Sequence, residues 1–158
     1  MSALLQSLIY TAQRAGGAIM AVYATDFSVR DKADASPVTA ADEAAEKIIL
    51  ADLAMIAPEV PVVAEEAVAK GLVPVIADRF FLVDPLDGTR EFVSRRDEFT
   101  VNVALIEDGE PVLGVVFAPA RRELYWGDVR AGTAGRIDAD PGKKFHTLWS
   151  GDRTEVPA

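Results

Sequence analysis

Phe80-Phe81-Leu82-Val83-Asp84-Pro85-Leu86-Asp87-Gly88-Thr89 is an apolar run that ends in two carboxylates three residues apart, followed by a Gly-Thr turn. The run has the length and composition of a buried strand, and Pro85 prevents it from simply continuing. Carboxylates at a strand end can share one cation. Hard Mg2+ takes oxygen ligands and keeps several of its waters, so Asp84, Asp87 and a freed carbonyl such as that of Leu86 would form half of a coordination shell. Gly88 and Thr89 would then open the next helix, where free backbone N–H groups can receive a phosphate. The plainer alternative is that Asp-Gly is a turn dipeptide and Asp84 merely closes a strand.

Two upstream segments shift that balance. Val62-Val63-Ala64-Glu65-Glu66 is a short apolar strand ending in adjacent carboxylates, an unfavourable pairing unless solvated or neutralised by a cation. Lys32-Ala33-Asp34-Ala35-Ser36-Pro37-Val38-Thr39-Ala40-Ala41-Asp42 leads into apolar residues at Ala45, Ile48, Ile49, Leu53 and Ile56, which is helical spacing. Thr39 with Asp42 three residues on has the form of a capping box, so the local reading of Asp42 is a helix cap. Only the combination of the three segments argues for a shared site.

That combination, Lys32-x-Asp34-x-Ser36-Pro37-Val38-Thr39-x-x-Asp42, Glu65-Glu66 and Asp84-Pro85-Leu86-Asp87-Gly88-Thr89, resembles the inositol monophosphatase superfamily of metal-dependent, lithium-sensitive phosphatases. Thr89-Arg90-Glu91-Phe92-Val93 and Glu98-Phe99-Thr100-Val101-Asn102-Val103-Ala104-Leu105-Ile106 look most like its 3′(2′),5′-bisphosphate nucleotidase branch. The resemblance runs from about Leu4 to about Gly127. It implies metal ligation by Glu65, Asp84, the Leu86 carbonyl and Asp87, with Mg2+ as the cofactor. It also implies that Asp42 and Thr89 are catalytic, orienting and deprotonating the attacking water, and that Glu65, Leu86, Asp87, Gly88 and Thr89 bind the substrate. The family completes its metal site with a Trp-Asp motif in a second domain, whereas here Trp126 precedes Gly127 and Trp149 precedes Ser150. The chain therefore looks like an N-terminal portion: a phosphatase domain over residues 1–129 and an irregular tail over 130–158 leading toward a second domain that is not in the sequence.

The 158 residues, 50% of them hydrophobic, suffice for one domain with a core and are few for two. No cysteine is present, which excludes disulfides and thiolate metal sites and agrees with a reducing compartment. A cytoplasmic location is the expectation, with the cytoplasmic face of the inner membrane as the alternative. The start lacks a basic signal-peptide region, and residues 3–22 are interrupted by Gln6, Gln13 and Arg14, which excludes a membrane span there. Leu4, Leu5, Leu8, Ile9, Ala12, Ala15, Ile19 and Val22 instead form one helical stripe behind a Ser2 cap, predicting a core-facing helix. The same stripe suits weak membrane-surface association, for which its polar face offers few cations. A net charge of −9 argues against binding nucleic-acid polymers. It does not argue against a small phosphate ester, because bound divalent metal reverses the sign of a carboxylate cluster.

Further along, residues 98–106 alternate and then run apolar, Asp108-Gly109 supplies a hairpin turn, and 111–118 return as a second strand, with 119–122 as the next turn and 123–126 as the next strand. The expected fold class is α+β, a layered α/β sandwich in which two N-terminal helices pack on a mostly antiparallel sheet, like the first domain of sugar phosphatases. In the tail, Ile137, Phe145, Leu148 and Trp149 are the large apolar residues, and the single histidine, His146, reads as a surface residue. Lys32, Arg90, Arg95 and Arg96 are candidates for meeting a phosphate, against the ordinary alternative of solvated surface charge. The function so implied is Mg2+-dependent hydrolysis of adenosine 3′,5′-bisphosphate to AMP and phosphate, in the context of sulfur assimilation. The alternatives are an inositol or sugar monophosphatase, or an inactive half domain with a structural or oligomerising role. The resemblance also raises a homodimer.

Overall fold

A computed structural model of the chain describes residues 1–27, 37–65, 68, 71 and 78–138, and the backbone of 145–150. Helix α1 (Ala3–Tyr23) starts where the sequence predicts, with the Ser2 hydroxyl accepting from Leu5 N at 3.2 Å. Helix α2 (Pro37–Ile56) begins with proline in its first turn, where the missing N–H costs nothing. Thr39 therefore lies inside the first turn and Asp42 inside the helix, which overturns the capping box: a residue with helical backbone geometry cannot serve as the N-cap.

Seven strands follow among the described residues: β1 (Val62–Ala64), β2 (Arg79–Asp87), β3 (Thr100–Glu107), β4 (Glu110–Ala118), β5 (Glu123–Asp128), β6 (Thr133–Asp138) and β7 (Phe145–Ser150). A one-turn helix α3 (Thr89–Val93) interrupts them between β2 and β3. They form one sheet in sequence order, antiparallel throughout except for the parallel pair β1 and β2. The β3–β4 turn is the predicted one, with both Asp108 (φ 50°) and Gly109 (φ 79°) left-handed, as the tightest hairpin connection requires.

Alternation sorts the sheet into two faces. Phe81, Val83, Val101, Val103, Leu105, Leu113, Val115, Phe117 and Leu124 are buried on the face that receives Leu5, Leu8, Ala12, Ala15 and Ile19 of α1 and Ala45, Ile49 and Leu53 of α2. The α1 stripe is thus spent on the core, leaving that face nothing to offer a membrane surface. No helix among the described residues is long and apolar enough to cross a membrane. The opposite face of the sheet leaves Leu82, Val116 and Tyr125 exposed.

One further expectation is corrected. Residues 133–138 and 145–150 are strands rather than an irregular tail. Thr133-Ala134-Gly135-Arg136 carries little hydrophobic signal of its own, but the free edge of β5 supplies a backbone template, and Ile137 anchors β6 in the core. The strand through Phe80–Val83 does not simply continue at Pro85, in line with the sequence: it reaches Asp87 only through an irregularity.

Candidate metal and phosphate site

That irregularity builds the site. Asp84 pairs with Asn102 and Asp87 with Thr100, so Pro85 and Leu86 together face the single residue Val101. This is a β-bulge, and Pro85 is tolerated there because the ladder is already broken. Side chains on a regular strand alternate, so residues three apart point to opposite faces. The extra residue cancels that: Pro85 and Leu86 are both buried, and Asp84 and Asp87 both lie on the face away from the helices.

Immediately after the bulge the chain turns at Gly88, whose φ is 91° and ψ 44°. A Cβ at this position would stand 2.8 Å from the Glu98 carbonyl oxygen and 3.1 Å from Phe99 Cα, so only glycine allows β2 to run into α3 beside that backbone. Helix α3 is held from below by Phe92, which is fully buried and packs against Phe99, Tyr23 and Phe27, with centroids 5.2–5.3 Å away. The Tyr23 hydroxyl donates to Asp97 at 2.8 Å. Arg95 stacks on Phe27 at 3.8 Å and donates to the Tyr23 and Thr25 carbonyls. It thereby fastens the end of α1 to α3, and a guanidinium so engaged is not the phosphate contact the sequence suggested. Arg90 and Arg96 are exposed.

Asp42, Glu65, Asp84, Pro85, Leu86, Asp87, Gly88 and Thr89 line one polar cleft of ≈ 160 Å3. The structure therefore brings together the candidate catalytic, metal and substrate residues Asp42, Glu65, Asp84, Leu86, Asp87, Gly88 and Thr89, whereas Arg90, Arg95 and Arg96 do not line the cleft; Lys32, Asp34, Ser36 and Glu66 lie outside the described residues. Asp42 reaches the cleft from α2 and is buried. Glu65 follows the end of β1, and the parallel pairing of β1 with β2 sets it beside Asp84. Asp84 Oδ1 accepts from the Leu86 amide at 3.2 Å within the bulge.

The Asp84 carboxyl is pushed up from its ordinary 3.8 to about 7. Burial is the largest cause, followed by the charge of Glu65, a hydrogen bond with Glu65 and the charge of Asp87, with the Leu86 amide pulling the other way. Positive charge beside Asp84 would pull that value back down. Among the described residues no three acidic side chains converge into a closed ligand set. The donors that line the cleft are nonetheless all oxygens, and their mutual repulsion is relieved by positive charge, so their chemistry fits a hard divalent ion completed by water. The residue that sequence reasoning missed is Asn102, whose Nδ2 donates to Asp87 Oδ2 at 3.3 Å.

Asp42, Glu65, the bulged Asp84-Pro85-Leu86-Asp87 and the Gly88-Thr89 turn thus share one cleft. Residues 1–137 match the model of the inositol monophosphatase family, and the chain belongs to that family. It is 49% identical over 125 residues to the 3′(2′),5′-bisphosphate nucleotidase CysQ of Salmonella typhimurium, covering 78% of this chain and 51% of that protein. It is 48% identical over 124 residues to the protein of the same name from Escherichia coli K12, covering 77% and 50%. Among solved structures, CysQ from Bacteroides thetaiotaomicron, described as a bacterial member of the inositol monophosphatase family, superposes with a TM-score of 0.73 at 34% identity, covering 98% of this chain and 58% of that one. The extragenic suppressor protein SuhB from Bartonella henselae gives 0.69 at 31% identity, covering 87% and 52%. The chain thus spans about half the length of the curated relatives it matches.

Proposed function

We propose that this chain carries the metal-binding half of a Mg2+-dependent 3′(2′),5′-bisphosphate nucleotidase site, hydrolysing adenosine 3′,5′-bisphosphate to AMP and phosphate. The observation that carries the reading is the gathering of Asp42, Glu65, Asp84 and Asp87 around the Gly88-Thr89 turn. The substrate comes from the relatives named as nucleotidases.

Glu65, Asp84, Asp87 and the Leu86 carbonyl would hold the metal. Bound there, Mg2+ supplies Lewis-acid charge that lowers the pKa of water and offsets charge on the phosphoryl oxygens. The chain's own groups do the rest. Asp42, buried at the cleft wall, accepts a proton from the attacking water, and the Thr89 hydroxyl orients that water. The water oxygen forms a bond to phosphorus as the ester P–O bond breaks in line, and the ribose oxygen leaves, taking up a proton from solvent, while Asp42 returns its own to solvent. The Gly88-Thr89 turn keeps side-chain bulk away from the phosphate, and Glu65, Leu86 and Asp87 line the remainder of the substrate's approach.

The test is phosphate release from adenosine 3′,5′-bisphosphate and from inositol 1-phosphate, each with Mg2+ and with chelator. Chelator-sensitive release favouring the nucleotide is the expected result. Preference for the inositol ester would transfer the site to the sugar-phosphatase reading. Mg2+ binding without any release would make the chain an inactive half domain.

Exposed Leu82, Val116 and Tyr125 on the open sheet face favour self-association as a second role, and we place a homodimer there. A single monomeric species in size-exclusion chromatography would remove it. We assign residues 1–129, together with strands β6 and β7 that extend its sheet, to the phosphatase domain, in a protein of the cytoplasm.

A further inference from the structure

We infer that Asn102 is a positioning residue that holds the Asp87 carboxylate in its metal-binding orientation, an inference that rests on the metal reading above. Strand β3 alternates strictly here, with Val101 and Val103 buried in the core and Asn102 on the opposite face, among apolar neighbours Leu82, Ala104 and Val116. Nothing about packing calls for an amide at that point. Asn102 stands directly across from Asp84, the last regular pair before the bulge, so the two side chains share a face. Asp87 lies on the far side of the bulge, and the Asn102 amide spans the irregularity to reach it, Nδ2 to Oδ2 at 3.3 Å.

The polarity of that bond is fixed by chemistry. An ionised carboxylate only accepts, so the amide must present its NH2 to Asp87, and the flipped orientation would set two acceptors against each other. The consequence appears at the other end of the side chain: Asn102 Oδ1 is shielded from solvent and accepts no hydrogen bond among the described residues. A shielded acceptor without a donor costs stability. Leucine would fill this space without that cost, so the amide is retained for what its N–H does at Asp87.

The role follows from the bulge. Its one extra residue separates the Asp87–Thr100 pair from the regular ladder that ends at Asp84, and the Asp87 side chain is exposed. A neutral donor fixes one carboxylate oxygen without adding to the negative charge of the cleft, and the other oxygen of Asp87 would remain for a cation. Groups that orient a metal ligand from behind in this way are worth about 10-fold or more in metal affinity.

The experiment compares the full chain with Asn102→Leu, which keeps the volume and removes the donor, and with Asn102→Ala in case leucine overpacks. Thermal unfolding in chelator reports folding, and calorimetric titration reports Mg2+ affinity without turnover. The expected result is a Tm equal to or above that of the parent for N102L, with Mg2+ affinity reduced about 10-fold. In the metal-free parent, the Asn102 side-chain amide resonances should move on Asp87→Ala. Equal Mg2+ affinity in parent and variants, or amide resonances indifferent to Asp87→Ala, overturns the inference and leaves the metal reading standing. A parent that binds no Mg2+ overturns the metal reading first and this role with it.

Discussion

Replacing Asp84 by asparagine should stabilise the metal-free protein in alkaline solution and leave it unchanged in acid. The folded carboxyl titrates near 7 against 3.8 when free, so folding favours its protonated form. Its contribution to stability is full below about pH 3.8 and is lost as pH rises through about 7. Each pKa unit corresponds to about 1.36 kcal/mol, which sets a ceiling of about 4 kcal/mol on the penalty at high pH. Asp84 is only half-buried, and solvent screening reduces that to about 1–2 kcal/mol. Asparagine carries no charge at any pH, and its oxygen can still accept from the Leu86 amide. Urea unfolding in chelator should therefore show D84N about 1–2 kcal/mol more stable than the parent at about pH 8.5, with the two indistinguishable at about pH 3.5. The same measurement with Mg2+ should reverse the order. A ligand present at 100 times its Kd adds about 2.7 kcal/mol to the form that binds it, and D84N has lost a ligand. A pH-independent difference between the two proteins would refute the electrostatic account of the cleft, and Mg2+ stabilising both equally would refute Asp84 as a metal ligand.

Gly88→Ala should cost about 2–4 kcal/mol, combining left-handed backbone strain with the clash against the Glu98 carbonyl, and so lower Tm by roughly 5–15 °C; an unchanged Tm would mean that the turn relaxes freely. Phe92→Ala opens a cavity in the aromatic cluster under α3 and should cost about 3–5 kcal/mol by denaturant unfolding. Asp87→Ala should abolish calorimetrically detectable Mg2+ binding while leaving the far-UV circular dichroism intact, since its side chain is exposed; unchanged affinity would remove it from the ligand set. Gly16→Val should destabilise by about 1–3 kcal/mol, because a side chain there meets the Phe117 ring where α1 crosses β4.

The sequence alone determined every element whose signal is local. The apolar stripe of α1 and its Ser2 cap, the helical spacing of α2, and the Asp108-Gly109 hairpin each follow from short-range periodicity and backbone sterics, and each is where the sequence puts it. The candidate ligands were legible too, because paired acids at the ends of apolar runs are conspicuous in a chain that otherwise alternates. Tertiary structure decided what depends on a partner strand. Whether Asp84 and Asp87 share a face turns on one extra residue opposite Val101, and no pattern within β2 encodes its register against β3. Strands β6 and β7 exist because β5 offers an unpaired edge, an interaction paid in backbone hydrogen bonds that leave little trace in side-chain composition. Asp42 looked like a cap because three-residue spacing is a local signal, whereas its place in the cleft follows from α2 packing over β1 and β2. Asn102 passed unnoticed for the same reason: its significance is the carboxylate across the ladder, fifteen residues away in the chain.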